Sequence, residues 1–367
     1  MRIISLSALV GVLAGITSTL FLSSLSGITR IRQAEPLLIW FLPVAGLLIG
    51  WLTNRIGRNK NWEGPFVFSS TLLTHLFGGS AGREKTAVQL STWASDQLAG
   101  RLKPAAEERK TLLLAAMGAG FGSAVGAPWA GVVFGMESLG SKLTIKSFFS
   151  CLVASFCASL TTKVLGAPHT VYPAPHFISF SLKTILSVGA SAVCFGTLAF
   201  CFKETLQKLE RFLKTSFPTV PKRLFVGGTV LVALYAWEGS YRYVGLGIPL
   251  IQESFYQTSP FTDVFFKAFF TALTLASGFK GGEFIPLVFM GTTLGSYLSQ
   301  WLPVSSNLLG ALGFAAVFGA VSRTPWACTL VTIELFGYPL TLYGFITCFL
   351  AFRTCKYLGK SAKRHID

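Results

Sequence analysis

Glu84 is the residue whose type and setting point most directly to chemistry. It follows Gly82-Arg83 and opens a helix-like run to Leu98 in a strongly apolar chain. A carboxylate inside a membrane is costly and is functional by default. At a helix start it can act as a tethered anion that occupies an anion site and leaves that site when protonated. The alternative is an acid that only caps its helix, and we favour the functional interpretation.

Glycine-rich backbone leads into a helix at two places in the chain. Gly78-Gly79 and Gly82 precede the run that starts at Glu84, and Gly281-Gly282 precede Pro286. Glycine lets a ligand approach main-chain N–H groups closely, and a helix N-terminus carries partial positive charge. Two such ends that converge would hold a dehydrated anion without a full positive side chain, so that the ion could also leave. The alternative is that these glycines only allow helices to pack closely.

The chain also resembles itself. Each glycine-led helix is followed by Pro-Trp-Ala and then, at the same spacing in both copies, by a glutamate. These segments predict two inverted pseudo-repeats, residues 1–166 and 177–367, joined by a loop at 167–176. The symmetric placement predicts a structural role for four residues, such as pairing with an arginine or a backbone end: Pro128, Glu137, Pro325 and Glu334.

Composition defines the elements that must position these residues. The chain is 51% hydrophobic and 13% charged, against roughly a quarter charged in soluble domains. Long apolar runs predict spanning helices, and their Gly/Pro breaks must be buried in protein or line a cavity. We therefore expect an all-α polytopic membrane protein with broken helices. The clear or partial runs are Met1–Ile28, Leu37–Ile56, Phe148–Leu165, Ile178–Phe202, Leu224–Trp237 and Tyr343–Phe352.

The net charge of +16 does not indicate nucleic acid, because the basic residues lie in short loops and in the tail rather than on one face. The tail Lys356–Arg364 predicts a cytoplasmic C-terminus. A positive protein raises the local concentration of anions, which supports anion transport weakly. The first apolar stretch is expected to be a membrane helix rather than a cleaved signal. The seven cysteines lack metal-type spacing, so neither a metal nor another cofactor is expected.

These segments together resemble the CLC family of chloride channels and anion/proton antiporters. The resemblance implies a CLC-type fold, a homodimer with one pore per subunit in the lipid bilayer, and Glu84 as the gating glutamate that transfers protons. It also implies that amides near Phe284 and Ile285 face the anion. The segments that carry it are Gly78–Glu84, Gly245–Pro249, Gly278–Pro286 and Thr324–Gly337.

Within that family the chain looks most like the bacterial fluoride/proton antiporter branch. Gly-Phe-Lys-Gly-Gly-Glu, residues 278–283, favours that branch, as does a lone Glu137 followed by Ser138. The resemblance then implies fluoride export coupled to proton entry across a bacterial inner membrane, with chloride transport as the alternative. The anion-binding residues that it implies are Gly82, Arg83, Gly281, Gly282, Phe284, Ile285 and Tyr357.

Three departures from the family pattern bear on activity. Lys85 stands where the family usually has glycine, and could snorkel, pair with an acid, or place a fixed charge beside the pathway as a modulator. The family's earlier anion-binding turn is reduced to a short polar stretch, Gly57–Gly64. Tyr357 is a plausible candidate for the family's central tyrosine, in more polar surroundings than expected. A non-transporting relative therefore stays open as an alternative.

A rival of another class is an intramembrane hydrolase. The chain has three aspartates, Asp96, Asp263 and Asp367, no His-Glu-x-x-His zinc motif and no Ser/His pair on adjacent broken helices. We therefore do not expect an enzyme. His75 is interpreted as a structural histidine, and Glu283 as either a helix-start acid or a functional one.

Overall fold

The computed structural model describes residues 2–56, 59–138, 144–175 and 180–364, and these fold into helices. Short 3-10 turns at Pro36–Phe41 and Tyr338–Leu340 precede α2 and α15. The helices are α1 Arg2–Ala34, α2 Leu42–Arg55, α3 Glu63–Leu76, α4 Glu84–Leu102, α5 Ala106–Val125, α6 Pro128–Glu137, α7 Ile145–Val164, α8 Leu182–Ser216, α9 Val220–Glu238, α10 Ile248–Glu253, α11 Phe261–Ser277, α12 Phe284–Leu298, α13 Ser306–Ser322, α14 Pro325–Phe336 and α15 Thr341–Arg364.

Helix length and burial distinguish long helices that could cross a membrane from shorter helices inside the protein. Among the described residues, α1, the segment Pro36–Arg55, α7 and α8 are long and apolar enough to cross a membrane. The shorter apolar helices α12, α13 and α14 lie mostly inside the protein, and every residue from Phe284 to Ser296 of α12 is buried. Helix α12 is therefore surrounded by protein, as the absence of water in a bilayer requires for broken helices.

The first and last helices of each half pack in the same way. A Cβ added at Gly11 of α1 would clash with the Ala154 carbonyl of α7, and one at Gly196 of α8 would clash with the Ala351 carbonyl of α15. Glycine thus allows both helix pairs to approach closely. This shared packing supports our proposal that 1–166 and 177–367 are matching halves. Residues 176–179 at the join lie outside the described residues.

These contacts also set the direction of each helix. Gly15, one turn after Gly11, packs on Ala158, one turn after Ala154, so α1 and α7 run parallel and end on the same side. The next helix, α8, is itself long and apolar enough to cross a membrane. We call the side where α1 ends the outer side, because the basic tail on α15 predicts that the opposite side is cytoplasmic.

The two Pro-Trp-Ala helices run antiparallel and cap each other. Glu334, near the end of α14, accepts hydrogen bonds from the Trp129 and Ala130 amides at the start of α6, at 2.9 and 2.8 Å. Glu137, at the end of α6, accepts from the corresponding amides at the start of α14, at 3.3 and 3.1 Å. Each carboxylate satisfies helix-start donors that have no partner within their own helix. The reciprocal arrangement is that of an inverted repeat.

The connection between α2 and α3 is short. Residues 59–62 form a turn, with the Trp62 amide donating to the Asn59 carbonyl at 3.0 Å, and α3 begins at Glu63. In the described part of this stretch there is no separate short helix. Gly57 and Arg58 lie outside the described residues.

Candidate functional site

The two glycine-led helix starts meet in the interior of the protein. The Gly82 amide donates to the Gly282 carbonyl at 2.6 Å, and the Gly282 amide donates to the Gly82 carbonyl at 2.8 Å. These bonds form an isolated antiparallel bridge directly before α4, which begins at Glu84, and α12, which begins at Phe284. We call this point the glycine junction. It brings the starts of two helices from the two halves of the chain together.

Close approach of the two backbones explains why glycine occupies both positions. A Cβ at Gly82 would lie 3.1 Å from the Gly282 carbonyl oxygen and 3.1 Å from the Ile285 amide nitrogen. A Cβ at Gly282 would lie 2.9 Å from the Lys85 Cβ. All three distances are shorter than ordinary van der Waals contacts. Absence of a side chain at Gly82 also leaves open the space beside the Ile285 amide.

The Glu84 carboxylate is buried and folds back onto the start of its own helix. Its side chain is 2% exposed. One oxygen accepts from the Arg83 amide at 3.1 Å, and the other accepts from the Arg83 Nε at 3.3 Å. The carboxylate therefore occupies a place where a backbone N–H and a guanidinium hold negative charge.

The partner of Glu84 lies at the inner end of a cavity on the outer side. Arg83 is buried and lines a cavity of about 300 Å³ together with Arg30, near the end of α1, and with His169 and Thr170, in the loop after α7. This cavity therefore reaches Arg83, the residue that follows Gly82 of the glycine junction.

The start of α12 presents backbone donors that the preceding residue does not satisfy. Phe284 and Ile285 are both 2% exposed, and Glu283 at the N-cap makes no side-chain capping hydrogen bond. The first amides of a helix have no acceptor within the helix. Gly281 reaches this arrangement with φ +151°, and a Cβ there would lie 2.5 Å from the Ala81 Cβ.

Lys85 is exposed beside the glycine junction. It interacts electrostatically with Glu283 and with Lys280, whose ammonium lies 5.4 Å from the centre of the Phe66 ring. Lys85 takes no part in the ion pairs within 4 Å among the described residues. Of the three alternatives for this lysine, the geometry favours a fixed, solvated charge beside the pathway.

Tyr357 is the one expected anion ligand that the structure does not bring to the junction. It lies on the long, continuous helix α15 and is 72% exposed. A side chain that faces outward from a helix packed along α8 does not line a buried site between α4 and α12. Its selection rested on residue type near the C-terminus, and its polar neighbours, including Lys356, were the signal against it.

The sequence did not single out a tyrosine that lies much closer. Tyr172, in the loop after α7, is buried and interacts electrostatically with both Arg83 and Glu84. Its ring packs against Phe314 with the centroids 4.7 Å apart. Neither helix periodicity nor a motif marks a loop residue that folds inward, so no pattern around Tyr172 could have identified it.

Lys267 of α11 and Arg32 of α1 were also missed. Lys267 is fully buried and donates to the Tyr243 carbonyl at 2.9 Å and to the Gly245 carbonyl at 2.6 Å. Arg32 is 8% exposed. A signal existed for Lys267, because a single lysine inside an apolar helix is subject to the same argument that selected Glu84.

These features define an integral membrane protein built from two inverted halves, with broken helices that meet at a buried carboxylate. The comparison with known families agrees with this class. The model of the voltage gated chloride channel family matches residues 49–356. The chain belongs to that family.

Individual relatives cover nearly the whole chain. A "Chloride/fluoride channel protein" of Pseudomonas syringae pv. tomato is 34% identical over 97% of this chain and 84% of its own length. A solved structure described as a CLC-type fluoride/proton antiporter is 32% identical, covers 97% of this chain and 96% of its own, and superposes with a TM-score of 0.91. A slow cyanobacterial Cl-/H+ antiporter is 18% identical, with a TM-score of 0.86, and so supports the fold alone.

Proposed function

We propose that this chain carries a small anion across a membrane through the glycine junction, with Glu84 as the gate. The pairing of Gly82 with Gly282 directly in front of a buried carboxylate is the observation that carries this proposal. The junction brings two helix starts together, and the carboxylate lies at one of them, against the Arg83 amide and guanidinium. A carboxylate at this point could bind there in turn with the transported anion, because both carry negative charge.

The proposed cycle uses only binding and proton movement. The ionised Glu84 carboxylate holds the site through the Arg83 amide and guanidinium. A proton taken up by Glu84 removes its charge and weakens both bonds, so the side chain can leave. The anion then binds the free amides of Phe284 and Ile285, with Gly82, Gly281 and Gly282 allowing close approach. Return of the ionised carboxylate displaces the anion and couples the two movements.

Fluoride export coupled to proton entry is the mode that we propose. The relative named for chloride and fluoride and the solved fluoride/proton antiporter both align along almost all of the chain. Chloride movement, as a channel or an antiporter, is the second candidate. A non-transporting relative is the third, and the short α2–α3 connection and the Lys85 charge are the observations that favour it.

Flux from reconstituted liposomes tests the function directly. The purified chain is reconstituted with internal sodium fluoride or sodium chloride, and anion efflux is measured with and without a pH gradient. We expect faster efflux of fluoride than of chloride, and we expect an imposed fluoride gradient to drive proton uptake. Absence of flux for both anions would refute the transport proposal.

The Glu84→Gln variant tests the gate. The amide keeps the size of the side chain but cannot take up or release a proton near neutral pH. We expect proton coupling to be lost, while anion flux either stops or becomes uncoupled, depending on whether the amide still fills the site. Proton-coupled flux unchanged from wild type would show that Glu84 is not the gate. A matched control is Glu35→Gln, an exposed acid at the end of α1.

We further propose a homodimer in a bacterial inner membrane, as the family implies. Trp129 at the start of α6 and Trp326 at the start of α14 are each about half exposed on the mutually capped helix pair. Phe345 of α15, which packs on Trp326 at 5.5 Å between ring centroids, adds to this apolar surface. The mass of the detergent-solubilised protein, corrected for bound detergent, distinguishes a dimer from a monomer.

A further inference from the structure

Three nitrogen-bearing side chains are buried together between the outer surface and the glycine junction. Lys267 is 0% exposed, His75 is 2% exposed and Arg32 is 8% exposed. His75 interacts electrostatically with Arg32, Lys267 and Arg83, and Lys267 interacts with Arg32. We call Arg32 and Lys267 the buried cation pair. The buried charge of Arg32 favours negative charge nearby, because an unpaired buried charge is strongly unfavourable.

The described acids do not supply that charge. Glu84 pairs with Arg83 at 3.3 Å. Asp263 accepts a 2.6 Å hydrogen bond from the Tyr243 hydroxyl and lies 3.6 Å from Arg242. Within the described ranges, the ion pairs shorter than 4 Å include neither member of the buried cation pair.

Both members of the buried cation pair contact the turn before α10, from opposite sides of Gly245. Lys267 Nζ donates to the Gly245 carbonyl at 2.6 Å and lies 5.4 Å from the centre of the Phe289 ring. The Arg32 guanidinium packs on the other side of Gly245, where a Cβ would lie 2.9 Å from Arg32 Nη1. Gly245 and Gly247 both have positive φ, +65° and +74°, which allows this close approach. Lys267 thus has acceptors in the turn carbonyls.

No comparable set of acceptors explains the burial of the Arg32 guanidinium. Its Nε is buried and has no hydrogen-bond partner. The side chain lines a cavity of about 630 Å³ bounded by the end of α1, the turn before α10 and the loop after α9. That cavity adjoins the one that reaches Arg83, because Thr29, Gln33, Leu246 and Ile248 line both. The Arg32 guanidinium thus borders a cavity that shares lining residues with the cavity beside Arg83.

We propose that this cavity contains an outer anion-binding site, in which a small inorganic anion lies against Arg32 and Lys267 adds its charge through the Gly245 turn. The site is distinct from the glycine junction, since Arg83 is occupied by Glu84 and Arg32 is not. It rests on the proposed function only in that the transported anion is its natural occupant. An anion held there would be positioned to enter the junction when Glu84 leaves.

The alternative is that Arg32 and Lys267 only brace the turn. Bracing explains the two carbonyl bonds of Lys267 and the packing of Arg32 on Gly245. It leaves the Arg32 Nε without a partner and the positive charge without compensation. An anion beside the part of the guanidinium that lines the cavity accounts for the second observation, whereas the Nε itself is closed to the cavity.

Two measurements on the full-length protein test the site. In detergent, the unfolding midpoint is recorded in sodium fluoride, chloride or bromide against sodium gluconate at equal ionic strength. In liposomes, the apparent KM for the outer anion is measured. The variants are Arg32→Gln, which removes the charge, and Arg32→Lys, which keeps it. Lys163→Gln is the control, because it removes one exposed charge from the end of α7 on the same side.

We expect stabilisation of wild type and of Lys163→Gln by at least one of the three halides, and loss of most of it in Arg32→Gln. Arg32→Lys should retain part. The apparent KM should rise at least about tenfold in Arg32→Gln, which corresponds to the loss of one charge-assisted hydrogen bond, with little change at saturating anion. If Arg32→Gln does not fold, Arg32→Lys carries the test, because a lysine keeps the charge but lacks the planar guanidinium donors and should show a smaller shift.

The result separates this inference from the proposed function. Halide stabilisation that depends on Arg32 in a protein without flux would support the outer site and refute transport. Flux with an apparent KM and a halide stabilisation that do not depend on Arg32 would refute the outer site and leave transport standing. Equal effects of Arg32→Gln and Lys163→Gln would also refute it, because a general field effect would then suffice.

Discussion

A Cβ at Gly282 is the perturbation that tests the glycine junction most sharply. In Gly282→Ala the new methyl group would lie 2.9 Å from the Lys85 Cβ and 3.1 Å from the Lys85 backbone nitrogen. Neither atom is the end of a flexible side chain, so the two strands of backbone must move apart. That movement strains the pair of hydrogen bonds between Gly82 and Gly282.

The magnitude follows from the contacts. Overpacking a tight interior site by one methyl group costs about 1–3 kcal/mol. Lys85→Gly alone removes a Cβ from the first turn of α4 and should cost about 0.5–1 kcal/mol of helix stability. In the double variant the shorter of the two Gly282 contacts disappears, while the contact with the backbone nitrogen remains. The two substitutions should therefore couple favourably by about 1 kcal/mol.

Chemical denaturation in detergent measures the apparent free energy of unfolding for the four proteins of this cycle. Gly189→Ala is the control, because a Cβ at that position in α8 meets nothing within 4 Å and should be neutral or slightly stabilising. Additive effects of Gly282→Ala and Lys85→Gly, within about 0.5 kcal/mol, would refute the contact across the junction. So would a Gly282→Ala variant as stable as Gly189→Ala.

Two further predictions concern the mutually capped helices α6 and α14 and the exposed side chain of Tyr357. Glu334→Gln should cost about 1–3 kcal/mol in the same denaturation assay, because an amide can no longer accept from both the Trp129 and Ala130 N–H groups. Glu137→Gln should cost less, since its two bonds are longer, and equal losses would contradict this ranking. Tyr357→Phe should leave flux from liposomes unchanged because the side chain is exposed, and a clear loss of flux would contradict the placement described here.

The predictable parts of the fold are those in which a residue type can be accommodated in only one kind of environment. A carboxylate at the start of an apolar helix needs donors, and Glu84 finds them at its own helix start. Equal spacing from Pro-Trp-Ala to a glutamate in both halves predicted matching elements. Paired glycines predicted close backbone approach, which the Gly82–Gly282 bridge provides.

The parts that were not predictable depend on contacts between residues far apart in sequence. Which side chain reaches the junction from another helix or loop is decided by packing, so Tyr172 was missed and Tyr357 was selected by residue type alone. The buried cation pair joins α1 to α11, more than 200 positions away along the chain. Sequence spacing carries no information about such a contact, whereas the cost of burying Lys267 could have been recognised from its apolar neighbours.

The two largest departures from the family pattern are connected in the structure. A buried, unpaired ammonium at Lys85 would be unfavourable in a membrane interior. It is instead exposed, and it lies within electrostatic range of Lys280, which also interacts with Glu63. Glu63 is where α3 begins after the shortened connection from α2. The described part of the α2–α3 connection therefore ends near Lys280, and the exposed position of Lys85 avoids the cost of burying its charge.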